Sequence, residues 1–368
     1  MTQNQARPAS GRTAPHPVPS LAVCIVNYQG ERHLPWALES VTRRVQPERV
    51  LVVDNASTDR SVEIVRRHCP SARVLRLARN RGPAAARNAA MAAVRADRVL
   101  FLDSDVILAP GCVEELGRAL DADPRAAIAM PRVVHADAPE TIQYDGADAH
   151  WLGLMALRNP ERSVSEADAG VSAIGSLVTA CFLADTRRLP PGLAFDETFF
   201  FSFEDHDYGL RLRARGGRIL SAPRAVCLHR SGTPGLSWRP DLHYPRRRVY
   251  GLVRNRWLVI LKTYTARTLA VLAPGLIFYE AFQLAGLARR GWLGPWLRAA
   301  VWIARNAPRV VAARREVQRT RQVSDRALLV GGPVPLTSTF CRGSVERTAK
   351  RTLDGFASWY WRAVRRIV

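Results

Sequence analysis

Lysine is almost missing from this 368-residue chain: Lys262 and Lys350 are the only two. The positive charge is therefore arginine, and it dominates, with Lys+Arg 54 against Asp+Glu 32 and a net charge of +22. Arginine, alanine, glycine and proline share GC-rich codons, so part of the excess reflects base composition. Charge of this size still points to anionic partners: nucleic acid, phospholipid head groups or a phosphorylated substrate. No helix-turn-helix or RNP-like run is present, which argues against the nucleic-acid-binding class, and no nucleic-acid partner is expected. The six cysteines form no C-x-x-C pair and no metal-ligand spacing. Several sit in apolar runs such as LAVCIV, which fits reduced, buried thiols in a cytosolic compartment. Residues 1–20 lack an apolar h-region, so a secretory signal is not expected, and their Pro, Ser, Gln and Arg content reads as a disordered tail. Internal repeats and low-complexity blocks are also lacking.

What the chain does have is alternation. Apolar, β-branched runs at 21–26, 49–54, 72–77 and 98–103 are separated by helical patterns around 33–45, 61–68 and 83–94. That order predicts an α/β fold with a mostly parallel sheet flanked by helices, whose functional loops follow the strand ends. Asp54 closes the second run in VVDNASTDRS, where a carboxylate can accept hydrogen bonds from a nucleobase imide or a ribose hydroxyl, while Ser57 or Asp59 can cap the next helix. In NRGPAAARN, Gly82 suits a tight turn and Pro83 a first helical position. Arg87 and Asn88 then lie one turn inside a helix whose start favours anions, although a solvated helix face is the plain alternative for Arg87. FLDSDV ends a buried-strand pattern in Asp103 and Asp105, which is either a capped turn or a pair of ligands.

In this order, VNY at 26–28, DNASTD at 54–59, N-R-G-x-x-x-A-R-N at 80–88 and DSD at 103–105 resemble the nucleotide-sugar half of the family 2 glycosyltransferases with the GT-A fold. TACFLADTRRL at 179–189, FDETFFFSFEDHDYGLRLRARGGRI at 195–219 and VCLHRSG at 226–232 extend the likeness, which is strongest to the rhamnosyltransferase-like branch. The resemblance covers about residues 21–265 and implies a GT-A nucleotide-binding catalytic domain there. It implies donor contacts from Asn27, Tyr28, Asp54, Asn55, Asn80, Gly82, Arg87, Asn88 and Asp103. It also implies Mg2+ or Mn2+ held by Asp105, with Asp103 on the metal or the ribose and His229 as a third ligand. By the family's ED pattern Asp205 is the general base and Glu204 a positioning residue; the preceding FFFSF run can desolvate them and raise their proton affinity. The implied donor is dTDP-rhamnose or a UDP-hexose, the acceptor a saccharide or lipid-linked saccharide, the reaction inverting, and the setting cell-surface polysaccharide synthesis.

Processive members of the family carry Q-x-x-R-W after the base. This chain has only NRW at 255–257, so a non-processive enzyme is expected. A nucleotidyltransferase remains a rival, but it should show a glycine-rich, basic signature where this sequence has VNYQGERHL. Beyond residue 265 the resemblance fades. The stretch at 269–288 approaches membrane-spanning length but contains Pro274, Glu280 and Gln283, and RRGWLGPWLRAAVWIARNAPRVV interleaves tryptophan with arginine. Residues 266–368 therefore read as a basic helical extension. It either completes the domain as buried helices or, the preferred reading, lies on an anionic membrane surface at the inner face of the cell membrane.

Overall fold

A computed structural model describes residues 19–230, 246–336 and 343–368. The expected disorder of the tail therefore lies, apart from its last two residues, outside the described residues. The first half alternates as the pattern demands: β1 (Leu21–Asn27), α1 (Leu34–Thr42), β2 (Val50–Asp54), α2 (Ser61–His68), β3 (Arg73–Arg76), α3 (Pro83–Ala93) and β4 (Arg98–Asp103). β1, β2 and β4 are nearly continuous runs of Val, Leu, Ile and Phe because both of their faces are covered. They pair in parallel, and the register sets Asn27 beside Asp54 and Val26 beside Asp103, so the polar strand ends share one edge.

The chain continues through β5 (Val106–Leu108), α4 (Cys112–Ala122), β6 (Ala126–His135), β7 (Ala138–Tyr144), β8 (Ala147–His150), β9 (Leu154–Leu157), β10 (Ser172–Ile174), β11 (Cys181–Asp185), α5 (Glu204–Ala214) and β12 (Arg218–His229). The main sheet runs β10-β12-β6-β11-β4-β1-β2-β3. It is parallel from β3 to β4 and becomes mixed at β11, which lies antiparallel to both β4 and β6. β5 pairs antiparallel with the end of β12, setting His229 opposite Val106 and so next to Asp105. The five described cysteines are unpaired and buried, as their apolar surroundings predict.

The C-terminal part is helical: α6 (Arg246–Thr263), α7 (Ala266–Arg289), α8 (Leu293–Arg305), α9 (Ala307–Arg319), α10 (Asp325–Leu328), the short β13 (Leu329–Val330) and α11 (Ser344–Val364). A second apolar core joins it to the first part, with Trp151, Phe199 and Leu210 packed among Leu258, Leu272, Tyr279, Leu353 and Trp361. Glu280, the acid inside the most apolar helix, is accounted for here. Its carboxylate accepts hydrogen bonds from Arg256 (2.8 Å), Trp257 (3.1 Å) and Trp296 (2.7 Å), which fastens α7 to α6 and α8.

Candidate active site

The site forms where β1, β2 and β4 end. Asn27 Nδ2 donates to Asp54 Oδ1 (2.9 Å) and to Ser57 Oγ (3.1 Å), and the Ser57 amide donates to Asp54 Oδ2 (3.1 Å). Asp54 is buried, and Arg76, on the neighbouring strand, approaches it to 3.4 Å. Ser57 thus serves this network rather than the cap of α2, whose first turn is held by Asp59 through the Ser61 amide. The Asn27 Oδ1 atom is buried with no hydrogen-bond partner among the described residues and lies against Gly30.

The loop after β3 is held by amides. Asn55 donates to Asn80 Oδ1 (3.0 Å) and accepts from the Arg81 amide (3.0 Å), and the Gly82 amide donates to Asn80 Oδ1 (2.9 Å). Asn55 and Asn80 therefore shape the loop from within. Asn88 exchanges hydrogen bonds with the Phe195 backbone and reaches Glu197 (3.1 Å), tying α3 to the segment that precedes α5. Tyr28 is half-buried at the end of β1.

Arg87 is not on a solvated face. It is 1% exposed, because the alanines of α3 bring that helix close to the sheet. Its Nη2 donates to Asp103 Oδ1 (2.7 Å) and to the Thr179 carbonyl (3.0 Å), and its Nη1 lies 3.8 Å from Glu204 Oε1. One buried guanidinium thus faces the acids of a strand end and of the α5 N-terminus, with Asp205 adjoining. Burial first, then the neighbouring Asp205 charge, raises Glu204 well above the ordinary carboxylate range. Burial likewise raises Asp205, although its own Oδ1 accepts from the His206 amide (2.7 Å). Glu204 Oε2 is buried without a hydrogen-bond partner among the described residues.

Backbone strain aims these acids. Phe200, Ser202 and Phe203 all have positive φ, at 60°, 66° and 69°, and Phe203 caps α5. Each such non-glycine residue costs about 1–3 kcal/mol and needs surroundings that enforce it. The aromatic run expected to desolvate the acids is therefore also a sharply bent turn.

The expected metal ligands come together only in part. His229 Nε2 lies 3.4 Å from Asp105 Oδ2, and its Nδ1 is 2.7 Å from Gln143 Oε1. An amide oxygen only accepts, so Nδ1 carries a proton and Nε2 turns its lone pair toward a carboxylate, an arrangement that invites a proton or a cation between them. Burial pulls the His229 pKa down, but Asp105's hydrogen bond and charge outweigh it, for a net rise; Asp105 falls below its ordinary value for the reciprocal reason. Arg87 takes one oxygen of Asp103, and among the described residues no group of three or more His, Cys, Asp or Glu is placed to hold a metal ion. A carboxylate and an imidazole fit Mg2+ or Mn2+ when phosphate oxygens supply the remaining positions. Sequence reasoning missed Gln143, Arg76 and Thr179. His33, whose charge interacts with Asp105, was missed as well. No local motif marks Gln143, Arg76 or His33, and Thr179 opens the TACFLADTRRL run without a role assigned to it there.

The model of the family "Glycosyl transferase family 2" matches residues 22–168. A pre-mycofactocin glycosyltransferase of Mycobacterium tuberculosis is 31% identical over 195 residues, which cover 52% of this chain and 39% of that protein. An N-acetylglucosaminyl-diphospho-decaprenol L-rhamnosyltransferase of the same organism is 28% identical over 233 residues, 57% of this chain and 75% of that protein. The chain thus spans well under half the length of the first of these relatives. Among solved structures, S. aureus TarS superposes with a TM-score of 0.50 at 16% identity, covering 94% of this chain and 55% of that chain. GalNAc-T7 with UDP, GalNAc and Mn2+ superposes with a TM-score of 0.50 at 15% identity, covering 69% of this chain and 49% of that chain. These identities speak for the fold alone, which is of the GT-A type.

Proposed function

Because this chain carries a family 2 glycosyltransferase domain on a GT-A fold, we propose that it is a non-processive, inverting transferase. It moves rhamnose or a hexose from dTDP-rhamnose or a UDP-hexose to a saccharide or lipid-linked saccharide in cell-surface polysaccharide synthesis. The observation that carries this reading is Arg87, buried between Asp103 of the donor side and Glu204 at the start of α5. The rhamnosyltransferase relative, named for a decaprenol-linked acceptor, supports the choice of sugar and of acceptor.

In this reading Asp54, backed by Asn27 and Ser57, accepts hydrogen bonds from the nucleobase or ribose. Asn55, Asn80 and Gly82 shape the loop under the nucleotide, and Tyr28 borders it. Asp105 and His229 would hold Mg2+ or Mn2+, with Asp103, one oxygen of which is bonded to Arg87, turned to the ribose. The metal's contribution is to neutralise the diphosphate as it leaves. Asp205 takes the proton from the acceptor hydroxyl, and that oxygen forms its bond to the anomeric carbon as the bond to the diphosphate breaks on the opposite face, which inverts configuration. A carboxylate whose proton affinity is raised toward neutrality suits that role. Glu204, raised further, keeps its proton and so spares the site a second adjoining negative charge.

The enzyme would work at the inner membrane face, held by the exposed side of its C-terminal helices. The decisive experiment is a nucleotide-sugar panel with a polyprenyl-diphosphate saccharide as acceptor, following nucleoside diphosphate release with and without Mn2+. Product formed only with acceptor, and with inverted anomeric configuration, is expected. Release of pyrophosphate from a nucleoside triphosphate and a sugar 1-phosphate, with no transfer from the nucleotide sugar to the acceptor, would mark a nucleotidyltransferase and end this reading.

A further inference from the structure

The turn before α5 has no glycine at its positive-φ positions, yet it must hold its shape for Asp205 to face the cleft. Three of its carbonyl oxygens, those of Phe199, Phe201 and Ser202, face α6. There the two N–H bonds of the Asn255 amide are shared among Phe199 O (3.0 Å), Phe201 O (2.9 Å) and Ser202 O (2.7 Å). Arg254 Nη2 adds bonds to Thr198 O (2.8 Å) and Phe199 O (3.0 Å). Asn255 is fully buried, at 0% exposure. Its amide orientation is fixed, because Arg254 Nε can only donate and does so to Asn255 Oδ1 (2.9 Å), which leaves the NH2 group to the carbonyls. The guanidinium groups of Arg247 and Arg248 lie over the rings of Phe200 (5.1 Å) and Phe201 (5.9 Å).

From this geometry we propose that Asn255 is a positioning residue for the transfer step. Its side chain locks the 199–202 backbone in the bent form that starts α5 at Glu204, and so fixes where the Asp205 carboxylate stands. The inference rests on Asp205 being the base. It gives the NRW segment a role of its own: Asn255 grips the base turn, while Arg256 and Trp257 grip Glu280. Carbonyls converging on one amide cannot all be satisfied by water in a buried pocket, so loss of the donor frees the turn to relax out of its strained form. The assigned donor contacts, at the ends of β1, β2 and β4 and in the loop after β3, do not use this amide.

The test is Asn255→Asp, which keeps the shape and replaces the donor by an acceptor, with Asn255→Leu as the uncharged counterpart. Nucleotide affinity measured by calorimetry should stay within about threefold, while kcat at saturating donor and acceptor falls roughly 10- to 100-fold. Amide exchange over 198–206 should quicken without a matching change in β1 and β2. A core truncation that supplies no residue to the site, Leu120→Ala in α4, controls for lost stability and should keep kcat. The clamp is overturned if either Asn255 variant retains full kcat, or if Leu120→Ala lowers it equally at equal melting temperature. A parent protein that transfers no sugar while exchange over 198–206 still responds to Asn255 would sink the transferase reading instead.

Discussion

Gly82 lies so close to Phe200 that a Cβ on it would sit 2.1 Å from the Phe200 carbonyl oxygen. With φ at +85° and ψ at 167°, Gly82 is in a region open essentially to glycine alone. The contact joins the loop under the nucleotide to the turn before the base. Gly82→Ala should therefore cost roughly 2–3 kcal/mol in denaturant unfolding and lower both donor affinity and kcat. Wild-type stability in that variant would show that the two loops move apart freely.

The two acids at the start of α5 should separate by substitution. Asp205→Asn removes the proton acceptor and keeps the shape, so turnover should fall roughly 10²- to 10⁴-fold with donor affinity intact. Glu204→Gln should cost less, and it should also stabilise the fold. Glu204's folded pKa lies above its unfolded value, so the native state loses stability as pH rises, and the glutamine variant should gain most at alkaline pH. Paired melting curves and kinetics decide. A dead Glu204→Gln beside a working Asp205→Asn would exchange the two roles.

The α/β alternation, the strand-end acids and the ED pair were legible because each leaves a local mark: an apolar run cut off by Asp, or an aromatic run before two acids. Arg87's burial was not, since only tertiary packing of an alanine-rich helix turns a helical arginine inward. The pairing of Asp103 with Arg87 was hidden for a related reason. Periodicity sets Asp103 and Asp105 on one side of a strand end, but it cannot know that Arg87 from another element claims Asp103. Asn255 was read within a failed motif because its partners are backbone carbonyls 53 to 56 residues away. The tryptophans at 292, 296 and 302, read from sequence as marks of an interface, are all half-buried, whereas Trp359 of α11 is 58% exposed.

Metal affinity should depend on pH through His229. A proton on Nε2 occupies the side that faces Asp105, so metal must displace it. Since the pKa of His229 is raised, Mn2+ affinity should climb as pH rises through a range above the ordinary imidazole value, by up to about tenfold per unit. Asp105→Asn should abolish it, and Gln143→Leu should weaken it roughly 10-fold by freeing the ring. Calorimetric Mn2+ affinity in the presence of nucleoside diphosphate that ignores both pH and Asp105 would remove this pair from the metal site.

Two buried histidines set an acid limit to stability. Burial pulls His150 and His206 down to about 4, so both are neutral in the fold across a range where the unfolded chain is charged. A depressed folded pKa in a base means stability is lost as pH falls from the unfolded value, about 6.5, toward about 4, by roughly 3 kcal/mol for each group at full titration. Glu204 works in the opposite sense, so the useful comparison is between variants. His150→Gln should flatten the pH dependence of unfolding by about one proton. An unchanged slope would mean that the ring is charged in the native state.

The outward face of α7 carries Ala270, Pro274, Ile277, Phe278, Ala281, Ala285 and Ala288, with arginine only toward its ends at Arg267 and Arg289. α7 is long and apolar enough to cross a membrane, but Tyr279 and Leu272 are buried against the second core and Glu280 is bonded to α6. A helix docked along one side and apolar along the other fits a bilayer surface. Phe278 packs at a tilt against Phe356 of α11 (ring centroids 4.1 Å apart), beside the exposed Trp359, and Arg351, Arg362, Arg365 and Arg366 are exposed on the same C-terminal stretch. Aromatic rings among arginines suit the head-group layer of an anionic membrane, where each arginine adds about 1 kcal/mol that salt removes. Ile277→Asp and Trp359→Asp change exposed side chains and should leave melting and turnover on a soluble acceptor unchanged. Each should weaken sedimentation with phosphatidylglycerol vesicles about tenfold. If the full-length protein ignores such vesicles but forms a dimer that Ile277→Asp dissociates, the face belongs to a second copy of the chain and the membrane assignment is lost.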